Sequence, residues 1–154
     1  MSANGTCNIN AFLLYGAKDL RATDLPEPVA GPGDVEIAMR RTGICGSDMH
    51  YFSHGQVGSF VPKTSFVLGH EFAGESIGVG TGLAPAPIGG RVTVVLCMPC
   101  GNLGFDRGGR YTPCQDMRFY GSARCDPQIK GGFQKRIVAP AAACFGPWSA
   151  RLPT

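Results

Sequence analysis

Glycine and proline interrupt this chain along its whole length. Of its 154 residues, 23 are glycine and 12 are proline, and the glycine share of roughly 15% is about twice the usual ~7%. Both residues are costly inside helices and favoured in turns. Apolar residues make up 44% of the chain, which is enough to bury a core. We therefore expect a turn-rich, mainly β domain rather than a helical bundle.

Between these breaks, several segments have the residue pattern of strands. Residues 35–42 alternate apolar and polar side chains, which predicts a strand buried on one face. Further strands are predicted over residues 9–15, 20–25, 71–79, 91–96 and 132–138. Residues 45–52 fit two helical turns after a break at Gly43, and residues 97–117 and 119–130 are expected to be irregular.

Charge and composition exclude several classes of function. The net charge is only +3, and the basic residues between Arg107 and Arg136 are not interleaved with aromatic residues as in a base-stacking surface. We expect no nucleic-acid partner. The N-terminus lacks the pattern of a signal peptide, and no apolar run approaches ~18 residues. We therefore expect a cytoplasmic protein without a membrane partner. Because disulfides are rare in the cytoplasm, the seven cysteines are expected to bind metal or to be free thiols.

All three histidines lie between residues 43 and 74, together with one cysteine, two carboxylates and several hydroxyl groups. A cysteine thiolate, a histidine imidazole and a carboxylate oxygen are ligands that zinc binds, so this stretch is a candidate zinc site. Cys45 is expected near the start of a helix, where the helix dipole favours a thiolate. Sequence spacing alone does not bring Cys45 to His70, so ordinary core or surface roles remain open at this point.

The neighbouring residues make the pattern specific. Residues 43–51 read Gly-Ile-Cys-Gly-Ser-Asp-Met-His-Tyr, and residues 69–74 read Gly-His-Glu-Phe-Ala-Gly. With further matches at 109–111, 116–119, 121–123 and 131–133, the chain resembles the medium-chain, zinc-dependent alcohol and polyol dehydrogenases, especially their sorbitol and L-idonate 5-dehydrogenase branch. The resemblance implies a GroES-like, partly open β-barrel with short helices over residues 1–145, followed by a divergent tail at 146–154.

The resemblance also implies a catalytic zinc site. Cys45 and His70 match two zinc ligands, and Glu71 matches a carboxylate that binds the metal directly or through water. Asp48 matches a group that orients the metal-binding histidine. Such a site polarises an alcohol for oxidation.

Three residues that follow Cys45 match the catalytic machinery of the family. Ser47 and His50 match a relay that carries the alcohol proton to solvent, and Tyr51 matches a residue of the substrate pocket. The alternative for Ser47 and His50 is a helix cap and a surface histidine. The implied reaction oxidises a secondary hydroxyl of a polyol or sugar acid, and a hydride passes to NAD(P).

A second, structural zinc site is degenerate. The four cysteines of the family pattern fall here on Cys100, Leu103, Asp106 and Cys114. Leucine binds no metal, and a carboxylate is a poor substitute in a thiolate site. Cys97 offers a possible third thiolate. We expect a lobe over residues 97–117 without metal, and a partial metal site is the alternative.

The cofactor domain of the family has no counterpart in these residues. Its Gly-x-Gly-x-x-Gly fingerprint between strand and helix does not occur. We expect the chain to be a truncated catalytic domain that is inactive alone and uses NAD(P) only if a cofactor domain is supplied. The alternative is a non-catalytic zinc-binding or structural GroES-like module. The face that a cofactor domain would cover is expected to be apolar and to allow association with a second copy or another chain.

Overall fold

The structure is a computed structural model that describes residues 8–83, 88–99, 114 and 116–146. Its strands are β1 (Asn8–Gly16), β2 (Asp19–Pro26), β3 (Asp34–Thr42), β4 (Phe66–Val67), β5 (Phe72–Val79), β6 (Arg91–Val94), β7 (Cys97–Met98), β8 (Arg118–Phe119), β9 (Arg136–Pro140) and β10 (Cys144–Phe145). The helix α1 (Gly46–His54) lies between β3 and β4, and a 3-10 turn (Ala141–Ala143) precedes β10. The mainly β fold expected from the sequence is confirmed.

The main sheet has five antiparallel strands in the order β10-β6-β5-β3-β9. Its β3 strand confirms the predicted alternation, because Val35 and Ile37 are fully buried. They pack in one core with Phe72, whose ring meets the Tyr120 ring edge-on at a centroid distance of 5.6 Å. Phe72 is the first residue of β5, so this core adjoins the turn that joins β4 to β5.

The second sheet has the order β2-β1-β4 and is joined to the first sheet by residues 133–135. The N–H of Phe12 on β1 donates to the carbonyl of Phe133, and the N–H of Met39 on β3 donates to the carbonyl of Lys135, both at 2.8 Å. The prediction of one strand over residues 132–138 was therefore wrong at its start. This segment crosses from one sheet to the other, and β9 begins only at Arg136. The crossing curls the sheets into a partly open barrel.

A short strand appears at Cys97–Met98, where irregular chain was expected, and it pairs with Arg118–Phe119. Another short strand, Cys144–Phe145, pairs with β6 at the edge of the main sheet. Residues 147–154, most of the predicted divergent tail, lie outside the described residues.

The surface of the described part also carries an open groove of about 520 Å³. Its wall includes the exposed apolar side chains Phe12, Leu20 and Ile44. Association of this domain with a second chain stays a prediction. Within the described residues, no helix has the length and apolar character that a membrane crossing requires.

Candidate metal centre

Three side chains from two separate segments meet at the candidate metal centre. Cys45 is the N-cap of α1, and His70 and Glu71 lie in the turn between β4 and β5. One ligand atom from each lies within 4.8 Å of the other two. Cys45 and His70 are half-buried and Glu71 is exposed. This donor set fits zinc, since three protein ligands with one open position are typical of a catalytic zinc site.

Asp48 connects the two segments that carry these ligands. Its side chain is buried, with Oδ2 accepting the N–H of Cys45 at 2.9 Å and Oδ1 accepting the N–H of Gly69 at 3.1 Å. The same Oδ1 lies 3.8 Å from Nδ1 of His70, beyond hydrogen-bond distance. In this structure Asp48 therefore contacts the backbone just before His70, and its role in orienting the metal-binding histidine stays a prediction.

The turn that carries His70 is also held from its other side by a glycine pair. The N–H of Gly132 donates to the carbonyl of Gly69 at 2.7 Å, and the N–H of Gly131 donates to that of Val67 at 2.8 Å. A Cβ at Gly131 would lie 2.3 Å from the Gly69 carbonyl oxygen, so only glycine fits without a shift of the turn. In the sequence analysis this glycine pair was identified as a family match but was assigned no role. The structure indicates that the pair allows the close backbone approach that supports the turn.

Gly43 makes room for the candidate carboxylate ligand. Its N–H donates to the carbonyl of Glu71 at 2.6 Å. A Cβ built on Gly43 would lie 2.5 Å from Oε2 of Glu71 and 3.1 Å from its Cβ. A side chain at this position would push the carboxylate away from where it now lies.

A cavity of about 280 Å³ opens beside His70. Ser47 and Tyr51 line it with His70, and further wall residues, which sequence reasoning did not select, are Phe60, Phe119, Tyr120, Ser122 and Arg124. The Tyr51 hydroxyl accepts the N–H of Ala123 at 3.0 Å. Tyr51 thus forms part of the wall and also anchors the loop opposite.

His50 does not line this cavity. It is exposed on α1, where its ring stacks on that of His54 with centroids 5.5 Å apart. The structure therefore places Ser47 inside the cavity and His50 on the surface, one helical turn later.

The second predicted metal site is described only in part. Cys100 and Asp106 lie outside the described residues, Cys114 is buried and Cys97 is half-buried. Among the described residues, Cys45, His70 and Glu71 form the one group of three close enough to share an ion. A metal in the cysteine lobe therefore stays an open prediction.

Elsewhere in the fold, burial raises the pKa of the Cys144 thiol to about 11. The thiol therefore stays protonated near neutral pH, which makes it a poor metal ligand.

Residues 31–147 match the family model described as the alcohol dehydrogenase GroES-like domain. The chain belongs to this family. This GroES-like domain is 34% identical to the sorbitol dehydrogenase of Bacillus subtilis (strain 168) over 130 residues, which are 84% of this chain and 36% of that protein.

Solved structures agree with this assignment. The crystal structure of L-idonate 5-dehydrogenase from Escherichia coli matches 91% of this domain, with a TM-score of 0.83 and 31% identity. A zinc-binding dehydrogenase from Sinorhizobium meliloti, solved with NADP bound, matches with a TM-score of 0.77 and 27% identity, again over 91%. The domain covers 40% and 38% of those two chains. It thus spans well under half the length of these relatives.

We predict that Asp48→Asn destabilises the metal-free domain by about 2 kcal/mol, because an amide offers one acceptor oxygen where two buried N–H groups need partners. Urea unfolding measures this loss. Zinc affinity should also fall roughly 10- to 100-fold, as for other residues that position metal ligands. The control is Asp24→Asn, an exposed carboxylate on β2. If both variants unfold like the wild type, Asp48 does not hold the site together.

Proposed function

We propose that this domain binds one zinc ion through Cys45, His70 and Glu71 and forms the zinc-binding half of an NAD(P)-linked dehydrogenase. Its substrate would be a secondary alcohol of a polyol or sugar acid. The observation that carries the proposal is the convergence of three ligand atoms within 4.8 Å beside a cavity lined by Ser47. Family membership and the likeness to sorbitol and L-idonate dehydrogenases support the reaction type.

The metal and the side chains have separate tasks in this proposal. Bound zinc supplies a Lewis acid that makes a nearby hydroxyl more acidic. Ser47, in the first turn of α1, has a hydroxyl that accepts the substrate's proton while it donates its own. His50, exposed one turn later, passes that proton to solvent. Tyr51 forms part of the cavity wall and holds the opposite loop through Ala123.

Transfer of the hydride requires a bound nicotinamide cofactor. We propose that polypeptide other than these 154 residues binds that cofactor. The sequence contains no glycine fingerprint between a strand and a helix. A related chain solved with NADP is more than twice as long as the region matched here. The GroES-like domain would therefore act together with a cofactor-binding domain.

We expect the purified chain to retain one zinc ion after dialysis, and Cys45→Ser and His70→Ala to lose most of it. Zinc content by mass spectrometry is the measurement, with circular dichroism to verify the fold. His54→Ala is the matched control, because His54 lies on α1 outside the ligand group. Equal zinc in the wild type and in Cys45→Ser would contradict the proposed ligand set.

We expect no reduction of NAD or NADP by the chain alone with sorbitol or L-idonate. Fusion to the part of the Bacillus subtilis sorbitol dehydrogenase that lies beyond the matched region should give turnover. That turnover should fall about 10²- to 10⁴-fold in Ser47→Ala, the range for loss of a proton-transfer group. Turnover by the chain alone would contradict the proposal that a separate domain binds the nicotinamide cofactor. A folded, zinc-loaded fusion without turnover would favour a non-catalytic zinc-binding module.

A further inference from the structure

Arg124 places a positive charge on the wall of the candidate substrate cavity. Its guanidinium carbon lies 5.6 Å from the ring centroid of Phe60 and 5.4 Å from that of Phe119. All three residues line the cavity that also holds Ser47 and His70. Cation–π contacts within about 6 Å are attractive, so the two rings hold the exposed arginine in place beside the cavity.

The guanidinium of Arg124 pairs with no carboxylate of the described residues. By contrast, Arg21, Arg40 and Arg136 each lie 2.7–2.8 Å from an aspartate or glutamate oxygen. Arg124 therefore keeps its N–H donors available to a ligand, as far as residues 8–83, 88–99, 114 and 116–146 are concerned.

The described wall of the cavity favours an anionic ligand. It includes Arg124 and no aspartate or glutamate. The hydroxyls of Ser47 and Ser122 add polar groups, and the remaining lining is mostly apolar or aromatic. With a volume of about 280 Å³, the cavity is close to the lower end of the usual range for small-molecule sites. A short polyol with one negatively charged end suits this size and charge.

We propose that Arg124 binds a carboxylate or phosphate group of the substrate and makes this domain selective for anionic polyols over neutral ones. The planar guanidinium matches both groups through paired hydrogen bonds. The hydroxyl to be oxidised would then lie at the other side of the cavity, near His70 and Ser47. This inference rests on the proposed function, because it assigns the cavity to that substrate.

The test is an NMR titration of the zinc-loaded chain with L-idonate, sorbitol 6-phosphate and sorbitol. The wild type should bind at least one of the two anions roughly tenfold more tightly than sorbitol, because hydrogen bonds between two charged groups are stronger than those between neutral groups. Added salt should weaken that preference. Arg124→Gln should abolish the anion preference because it weakens anion binding more than sorbitol binding, whereas Arg21→Gln, which removes an equal charge on β2, should behave like the wild type. The tighter anion identifies the charged group.

Three results would overturn the inference: equal binding of all three ligands, binding of none, or an anion preference that persists in Arg124→Gln. Zinc content is measured in the same samples. A chain that holds zinc but shows no Arg124-dependent preference contradicts this inference alone. A chain that retains no zinc contradicts the proposed function, and the comparison of Arg124→Gln with the wild type still decides the anion preference.

Discussion

A buried carboxylate holds the candidate metal centre together. Asp48 accepts one backbone N–H from Cys45 and another from Gly69, and these residues lie on segments far apart in the sequence. Burying a carboxylate is unfavourable unless hydrogen bonds compensate for the lost water. Here both oxygens have partners, so the cost of burial is offset by contacts that fix the separation of Cys45 and His70. These contacts therefore help the fold to bring the three ligand atoms together.

The rest of the barrel supports this arrangement through backbone contacts. Residues 131–133 donate three N–H groups to the turn that carries His70. The glycines at 131 and 132 allow this approach, because a Cβ at either position would lie under 3 Å from its neighbours. The same segment continues into the crossing at 133–135 that joins the two sheets. The position of the imidazole thus depends on the closure of the barrel as well as on Asp48.

Local patterns predicted the long elements well and the short ones poorly. The alternation over residues 35–42 identified β3 because one face of that strand is buried. Two-residue strands such as β7 and β8 are too short to show a period, and the crossing at 133–135 depends on hydrogen bonds to distant strands. The candidate ligands were found through the family resemblance. Arg124 was not found, because the rings that hold it, Phe60 and Phe119, meet only in the folded chain.

Zinc-edge X-ray absorption of the metal-loaded chain can show whether one zinc ion lies between Cys45, His70 and Glu71. We expect one sulfur ligand at about 2.3 Å and the remaining ligands to be nitrogen or oxygen at about 2.0–2.2 Å. The sulfur contribution should disappear in Cys45→Ser. A spectrum with two or more sulfur ligands would place the metal in the cysteine lobe, and that result or a spectrum with no sulfur ligand would contradict the proposed ligand set.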